Sequence, residues 1–221
     1  MNYYIIDWDY ENKDAIGNYP QIEFKSDYNI KKNNGIREVK PNKFPDFIPD
    51  IELKFHKNAK TTNLIERSSV SFGMYIDNTF KNILEKFKLP KHKYYEIKVY
   101  QKDKIYNYYW FHYIIDDFWE WIDKEKSKAI IIDNKKNFQA VAEVDLNLTE
   151  DEMKNLFYYE LPYYQNPKWE KIVFKNDFPK YDLYETQSVE RTTIISDVLL
   201  KSLQKANITG YMVKPYTIIE V

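Results

Sequence analysis

Apolar residues recur along this chain in two rhythms, and each change of rhythm marks an element. Residues 2–7, NYYIID, open with an extended run. Residues 11–50 are polar and broken by Gly17, Pro20, Gly35, Pro41, Pro45 and Pro49, which is turn chemistry with short extended pieces. IELKF at 51–55 alternates as a half-buried strand does, and KNAKTTNLIERSS after it reads as irregular. YYEIKVYQ at 94–101 and DKIYNYYWFHYI after it read as two strands joined by a polar hairpin loop. KAIIID at 128–133, KIVFK, YDLYETQ and TTII give further strands, and ELPYYQNPKW between them reads as a proline-broken aromatic loop.

Three segments carry the helical period instead. Phe80, Ile83, Leu84 and Phe87 fall at i, i+3, i+4 and i+7, with Asp77 before them as an N-cap and Pro90 as the stop. LTEDEMKNLF holds a capping box, Thr149 with Glu152 three residues on, and an apolar stripe of Met153, Leu156 and Phe157. The last helix starts at Ser196, buries Leu199, Leu200 and Leu203, and ends at Asn207 in a left-handed conformation before a turn at Gly210 and a short strand. Strands separated by capped helices, without a regular βαβ rhythm, predict a single α+β domain over 1–221: mostly antiparallel strands, about three amphipathic helices, a loop-rich part at 1–50 and the core at 51–221.

Composition excludes more than it selects. The hydrophobic fraction of 43% suits a folded globular chain, and a net charge of −1 supplies no field to draw it to nucleic acid or an anionic membrane. Cysteine is absent, so disulfides, thiolate catalysis and zinc-thiolate sites are ruled out. The start, MNYYIIDWDYENKD, lacks the basic and apolar regions of a signal peptide, and no run approaches a membrane-spanning length. There is no GxGxxG, Walker loop, HExxH or GxSxG; His112 with Asp116 offers two metal ligands where a site needs three or four, and His56 and His92 have no ligand spacing. The expectation is no catalytic residue, no metal and no cofactor.

The densest stretch is YNYYWFHYIIDDFWEWIDKEKS, 106–127. Alternation puts Tyr106, Tyr108, Trp110, His112 and Ile114 on one strand face, with Asp116 and Asp117 at the strand end as cap or turn residues. Asp116, Asp117, Glu120 and Asp123 also contain the carboxylates a hydrolase would need, which keeps an enzyme reading open. Exposed acids beside tryptophans equally suit a partner surface, and Asp116, Asp117, Trp119, Glu120 and Trp121 are its candidate contacts on physical grounds. The loop at 157–169 offers a third reading, a sugar- or peptide-binding platform of Tyr158, Tyr159, Tyr163, Tyr164 or Trp169.

Three blocks resemble a known family. VSFGMYIDNTFKNILEKFKLP resembles its capped helix, with Asp77 where a serine is usual. YNYYWFHYIIDDFWEWIDKEKS resembles its aromatic strand ending in an acidic segment, and TTIISDVLLKSLQKANITGYMVKP resembles its C-terminal ending. The family is the DUF1629-type (Imm11) immunity proteins of bacterial polymorphic toxin systems, and the resemblance spans roughly 45–215. It implies a cytoplasmic, non-enzymatic protein that binds and neutralises a cognate protein toxin, with no membrane or nucleic-acid partner. The aromatic surfaces suit a homodimer interface as well as a toxin interface.

Overall fold

A computed structural model describes residues 1–67 and 72–220. The elements in chain order are β1 (Tyr3–Trp8), α1 (Lys13–Ile16), β2 (Ile22–Phe24), β3 (Glu52–Phe55), β4 (Leu64–Ile65), β5 (Met74–Ile76), α2 (Asn78–Leu84), β6 (Lys91–Gln101) and β7 (Lys104–Ile114). They continue as α3 (Phe118–Trp121), β8 (Lys128–Asp133), β9 (Gln139–Glu143), α4 (Glu150–Asn155), β10 (Gln165–Val173), β11 (Leu183–Thr186), β12 (Thr192–Ser196), α5 (Asp197–Lys205), β13 (Tyr211–Pro215) and β14 (Ile219–Glu220). The class is α+β. Three corrections apply to its details. The described residues form five α-helices, because α1 and α3 add single turns to the three expected; β4, inside the stretch expected to be irregular, and β5, β9 and β14 join the expected strands; and two strand pairs, β3–β6 and β10–β14, are parallel. Among the described residues no helix is long and apolar enough to cross a membrane. Ser68 and Ser69 of the expected irregular stretch, and Val70 and Ser71 of the first family-like block, lie outside the described residues.

The chain forms two compact units. One comprises 6–115 and 198–213 and is built on a six-stranded sheet in the order β2-β3-β6-β7-β5-β4. Its centre is the β6–β7 hairpin, paired from Lys91↔Ile114 to Gln101↔Lys104, with Lys102 left-handed in the two-residue turn. The expected alternation holds on one face: Tyr108 and Trp110 join Leu53, Tyr75, Tyr95, Ile97 and Val99 in the core. Phe111 and Tyr113, on the opposite face, are buried as well, so β7 is covered on both faces from Trp110 to Ile114, while its partner β6 keeps Lys91 and Lys93 in solvent. Gly73 shows why it must be glycine: its φ is +73°, and a Cβ there would stand 2.5 Å from the Trp110 Nε1.

The helices of this unit follow the capping logic. The Asp77 Oδ1 accepts the Phe80 backbone N–H at 2.9 Å, and Phe80, Ile83 and Leu84 are buried below it. The helix closes at Leu84, before Phe87. At the far end of α5, Asn207 has φ +53° and the Ile208 N–H reaches back to the Leu203 carbonyl at 3.1 Å, which is a Schellman closure. A buried polar node sits under the sheet. Gln21 Nε2 donates to the Lys60 carbonyl and Thr62, its Oε1 accepts from Trp8 Nε1 and the Glu66 N–H, and the Glu66 carboxylate accepts the Gln21 and Ile22 N–H groups.

The other unit comprises 1–5, 116–197 and 214–221. It contains a sheet in the order β14-β10-β8-β9 and the antiparallel strands β11, β12 and β1. Its core is aromatic. Phe118 meets Trp169, Phe174 and Tyr184 at ring distances of 6.1–6.2 Å, and Phe174 stacks on Phe178 at 4.0 Å. The capping box at Thr149 and Glu152 forms as the sequence predicts, with Met153 buried beneath it. The expected loop at 160–169 is shorter than predicted, because β10 already begins at Gln165. Pro167 is tolerated there because β10 has only β8 beside it at that point; β14 pairs further along, at Ile172 and Val173.

Candidate partner surface

The acidic, tryptophan-rich segment folds inward. Phe118 is buried, so the turn α3 is pinned with its tryptophans against the unit rather than away from it. Trp119 is only 9% exposed; its indole N–H donates to the Leu148 carbonyl at 3.2 Å and the Lys124 ammonium lies 4.6 Å above its ring. That removes Trp119 from the candidate contacts, since a docking anchor must be accessible before it is covered. Trp121 is half-buried, and its N–H donates to Asp117 Oδ2 at 2.7 Å. Asp117 occupies the N-cap position without capping the backbone. Its other oxygen accepts the buried Tyr184 hydroxyl at 2.8 Å, so this carboxylate serves as an internal clamp. Burial, then the Asp117 charge, raises the Tyr184 phenol far above its ordinary value, so the proton stays on the tyrosine. Asp116 and Glu120 are exposed.

Asp123 belongs to different surroundings. It accepts the Lys126 ammonium at 2.6 Å, and that hydrogen bond holds its carboxyl below the usual range. His112, at the far end of the hairpin in the other unit, is a core residue. It is fully buried, stacks on Trp110 at 4.8 Å, and meets the Pro41 carbonyl through Nε2 at 3.1 Å. Burial pushes its imidazole pKa down, so the ring is neutral. Among the described residues no group of three or more His, Asp or Glu is disposed to hold a metal.

In the unit of the β14-β10-β8-β9 sheet, exposed aromatics gather at one end of that sheet. Gln165, Asp133 and Gln139 form the last row of that sheet, paired across β10, β8 and β9. Tyr163 and Tyr164 immediately precede that row in the chain, and Phe138 precedes it on β9. Tyr163 is 88% exposed and Phe138 67%, while Tyr159 on the preceding turn is 84% exposed. The side chain of Tyr158, one of the loop candidates, lies outside the described residues. Trp169, another, is 1% exposed and belongs to the core.

Local chemistry builds this shelf. The buried Asp133 carboxylate accepts the Lys135 backbone N–H at 2.9 Å and caps a single 3-10 turn at Asn134–Lys136. The Asn134 N–H donates to the Tyr164 carbonyl at 2.9 Å, which ties the two loops together. Lys135 then extends over the Tyr164 ring at 3.9 Å and the Tyr163 ring at 5.3 Å. Tyr163 and Tyr164 meet edge to face at 5.4 Å. The hairpin closes through Asn137 and Phe138, both left-handed, at φ +53° and +61°. A bulky side chain held in that region costs on the order of 1–3 kcal/mol and is tolerated where its position serves a purpose. One extra residue in β9, Val141, makes a bulge between the pairs Ile132↔Ala140 and Ile131↔Ala142 and leaves Val141 exposed beside Phe138's strand. Sequence reasoning found Tyr159, Tyr163 and Tyr164 and missed Phe138; the available signal was a lone aromatic closing the polar turn DNKKN.

The family model of the Imm11 immunity proteins matches residues 2–216. The chain belongs to the Imm11 immunity protein family. The match reaches the N-terminal third, beyond the stretch in which the sequence blocks carried the resemblance, and it takes in residues of both compact units. No curated protein matches the chain.

Proposed function

We propose that this chain is a non-enzymatic immunity protein that acts in the cytoplasm as a single domain, binding and neutralising a cognate bacterial toxin. Membership of the Imm11 family across residues 2–216 carries this reading. Supporting it, Phe138, Tyr159 and Tyr163 form the anchor type expected of a protein interface, and the rim would include the exposed Lys135 and Lys136. Of the acidic segment, Asp116 and Glu120 are the side chains a toxin could reach, with Trp121 partly accessible; they are assigned to the rim, and Asp117 to the fold.

The test is a titration of the purified chain against the toxin domain encoded by the neighbouring gene. Toxicity should disappear at a near-stoichiometric ratio. Equal affinity for an unrelated toxin domain would defeat the reading. A second reading, a sugar- or peptide-binding module, rests on the exposed Tyr163 and the half-buried Tyr164 beside it. Saturable binding of an oligosaccharide that protects those rings, without any toxin partner, would favour it instead.

A further inference from the structure

The exposed charge on the 134–138 turn is of one sign. The Asp133 carboxylate is 3% exposed and spent on the Lys135 N–H. Lys135 and Lys136 stand exposed on the turn, and among the described residues neither has a carboxylate partner. Glu160, exposed on the turn before Pro162, is the acidic residue of the neighbouring loop segment. Lys135 is held over two phenol rings, so its ammonium is positioned before any partner arrives. A carboxylate approaching that ammonium gains a charge-assisted hydrogen bond without the full cost of ordering a lysine chain.

We infer that the shelf of Lys135, Lys136, Phe138, Tyr163 and Tyr164 docks an acidic face of the toxin, with an apolar side chain of that face on Phe138 and Tyr163 and one or more carboxylates at the two lysines. The inference rests on the proposed function and adds the partner's chemistry to it. The sign is opposite to the steering expected if the 116–121 acids led the encounter. Strand addition at β9 is disfavoured because the Val141 bulge interrupts the regular row of edge hydrogen-bonding groups. Nucleic acid is also disfavoured. Two lysines neutralise few phosphates, and the chain as a whole carries a net charge of −1.

The experiment uses the full chain and the catalytically inactivated toxin domain from the neighbouring gene, in 50 mM and 300 mM salt, with a 20-nucleotide single-stranded DNA as a second probe. The expected results are these. K135E with K136E weakens toxin binding about 30-fold at low salt, chiefly through slower association. K135R with K136R binds like the parent, and the DNA does not bind. Toxin binding that survives K135E/K136E unchanged would overturn the acidic-face inference and leave the toxin reading standing. Failure of the parent chain to bind the toxin would overturn both. Binding of the DNA that K135E/K136E abolishes would replace the protein partner with a nucleic acid.

Discussion

Two aromatic segments of this chain have similar composition and opposite fates. FWEW at 118–121 buries Phe118 and Trp119 and half-buries Trp121, and the two indole N–H groups find a carbonyl and a carboxylate. The residues around 138 and 163 place their rings in solvent, over a turn whose own polar groups are satisfied beneath them. The difference lies in what the polar atoms near each ring can reach. A tryptophan whose indole finds an acceptor within its own unit is turned inward, fully for Trp119 and in part for Trp121. A phenol whose hydroxyl needs no internal partner can stand on the surface, and a lysine across its face makes that posture rigid.

The largest effect should come from the clamp inside the first segment. Asp117→Ala removes the acceptor of the buried Tyr184 hydroxyl and of the Trp121 indole. Leaving the buried phenol unpaired costs about 1–3 kcal/mol, and the second lost bond adds to it, so a loss of about 2–4 kcal/mol is expected in urea unfolding. Unchanged stability would mean that Asp117 belongs with the partner contacts after all, and the comparison between the segments would break.

The shelf should give the reverse signature. Tyr163→Ala should leave the unfolding midpoint within about 0.5 kcal/mol while weakening toxin binding roughly tenfold or more. Phe138→Gly is sharper still. It releases a left-handed phenylalanine and should raise stability by about 0.5–1 kcal/mol, net of the entropy glycine adds to the unfolded chain. The same variant should bind the toxin more weakly. Loss of stability in calorimetry would show that the ring is supported by packing and is not offered to a partner.

A core histidine gives a pH-dependent contrast with the exposed aromatics. The Pro41 carbonyl can only accept, so His112 Nε2 carries the proton and the buried Nδ1, which has no partner among the described residues, is bare. Because burial lowers its folded-state pKa, the unfolded chain binds more protons at this position between the folded value and about 6.5. Stability therefore rises with pH through that window. His112 contributes fully above about pH 6.5, and the contribution is lost as the pH falls below it, at a slope of at most about 1.4 kcal/mol per pH unit. His112→Phe should remove that part of the slope between pH 7.5 and 5, read from urea midpoints.

How much of this was legible in the sequence depended on whether side chains or backbone made the choice. Asp77, Thr149 with Glu152, and Asn207 announced three helix ends correctly, because each cap satisfies its own neighbours and needs no distant contact. QAVAE of β9 gave no signal. All five of its residues are exposed, so no burial pattern was imprinted on them. Pro167 argued against a strand, and only the absence of a second neighbour at that position makes one permissible. The acid-rich 116–121 stretch looked like a surface because charge usually marks one, and it proved half internal because Tyr184, 67 residues away, supplies the donor.

The smallest effects belong to the two acids of that stretch that face solvent. Asp116→Asn and Glu120→Gln each remove one charge from an exposed position, which seldom changes stability by more than about 0.5 kcal/mol. If they are only rim residues around or outside the toxin contact, each should alter the association rate by less than about threefold, and the change should vanish at high salt. A slower dissociation or a tenfold loss of affinity from either substitution would move the centre of the interface to the 116–121 turn. The segment that sequence composition first suggested would then share the binding with the aromatic shelf.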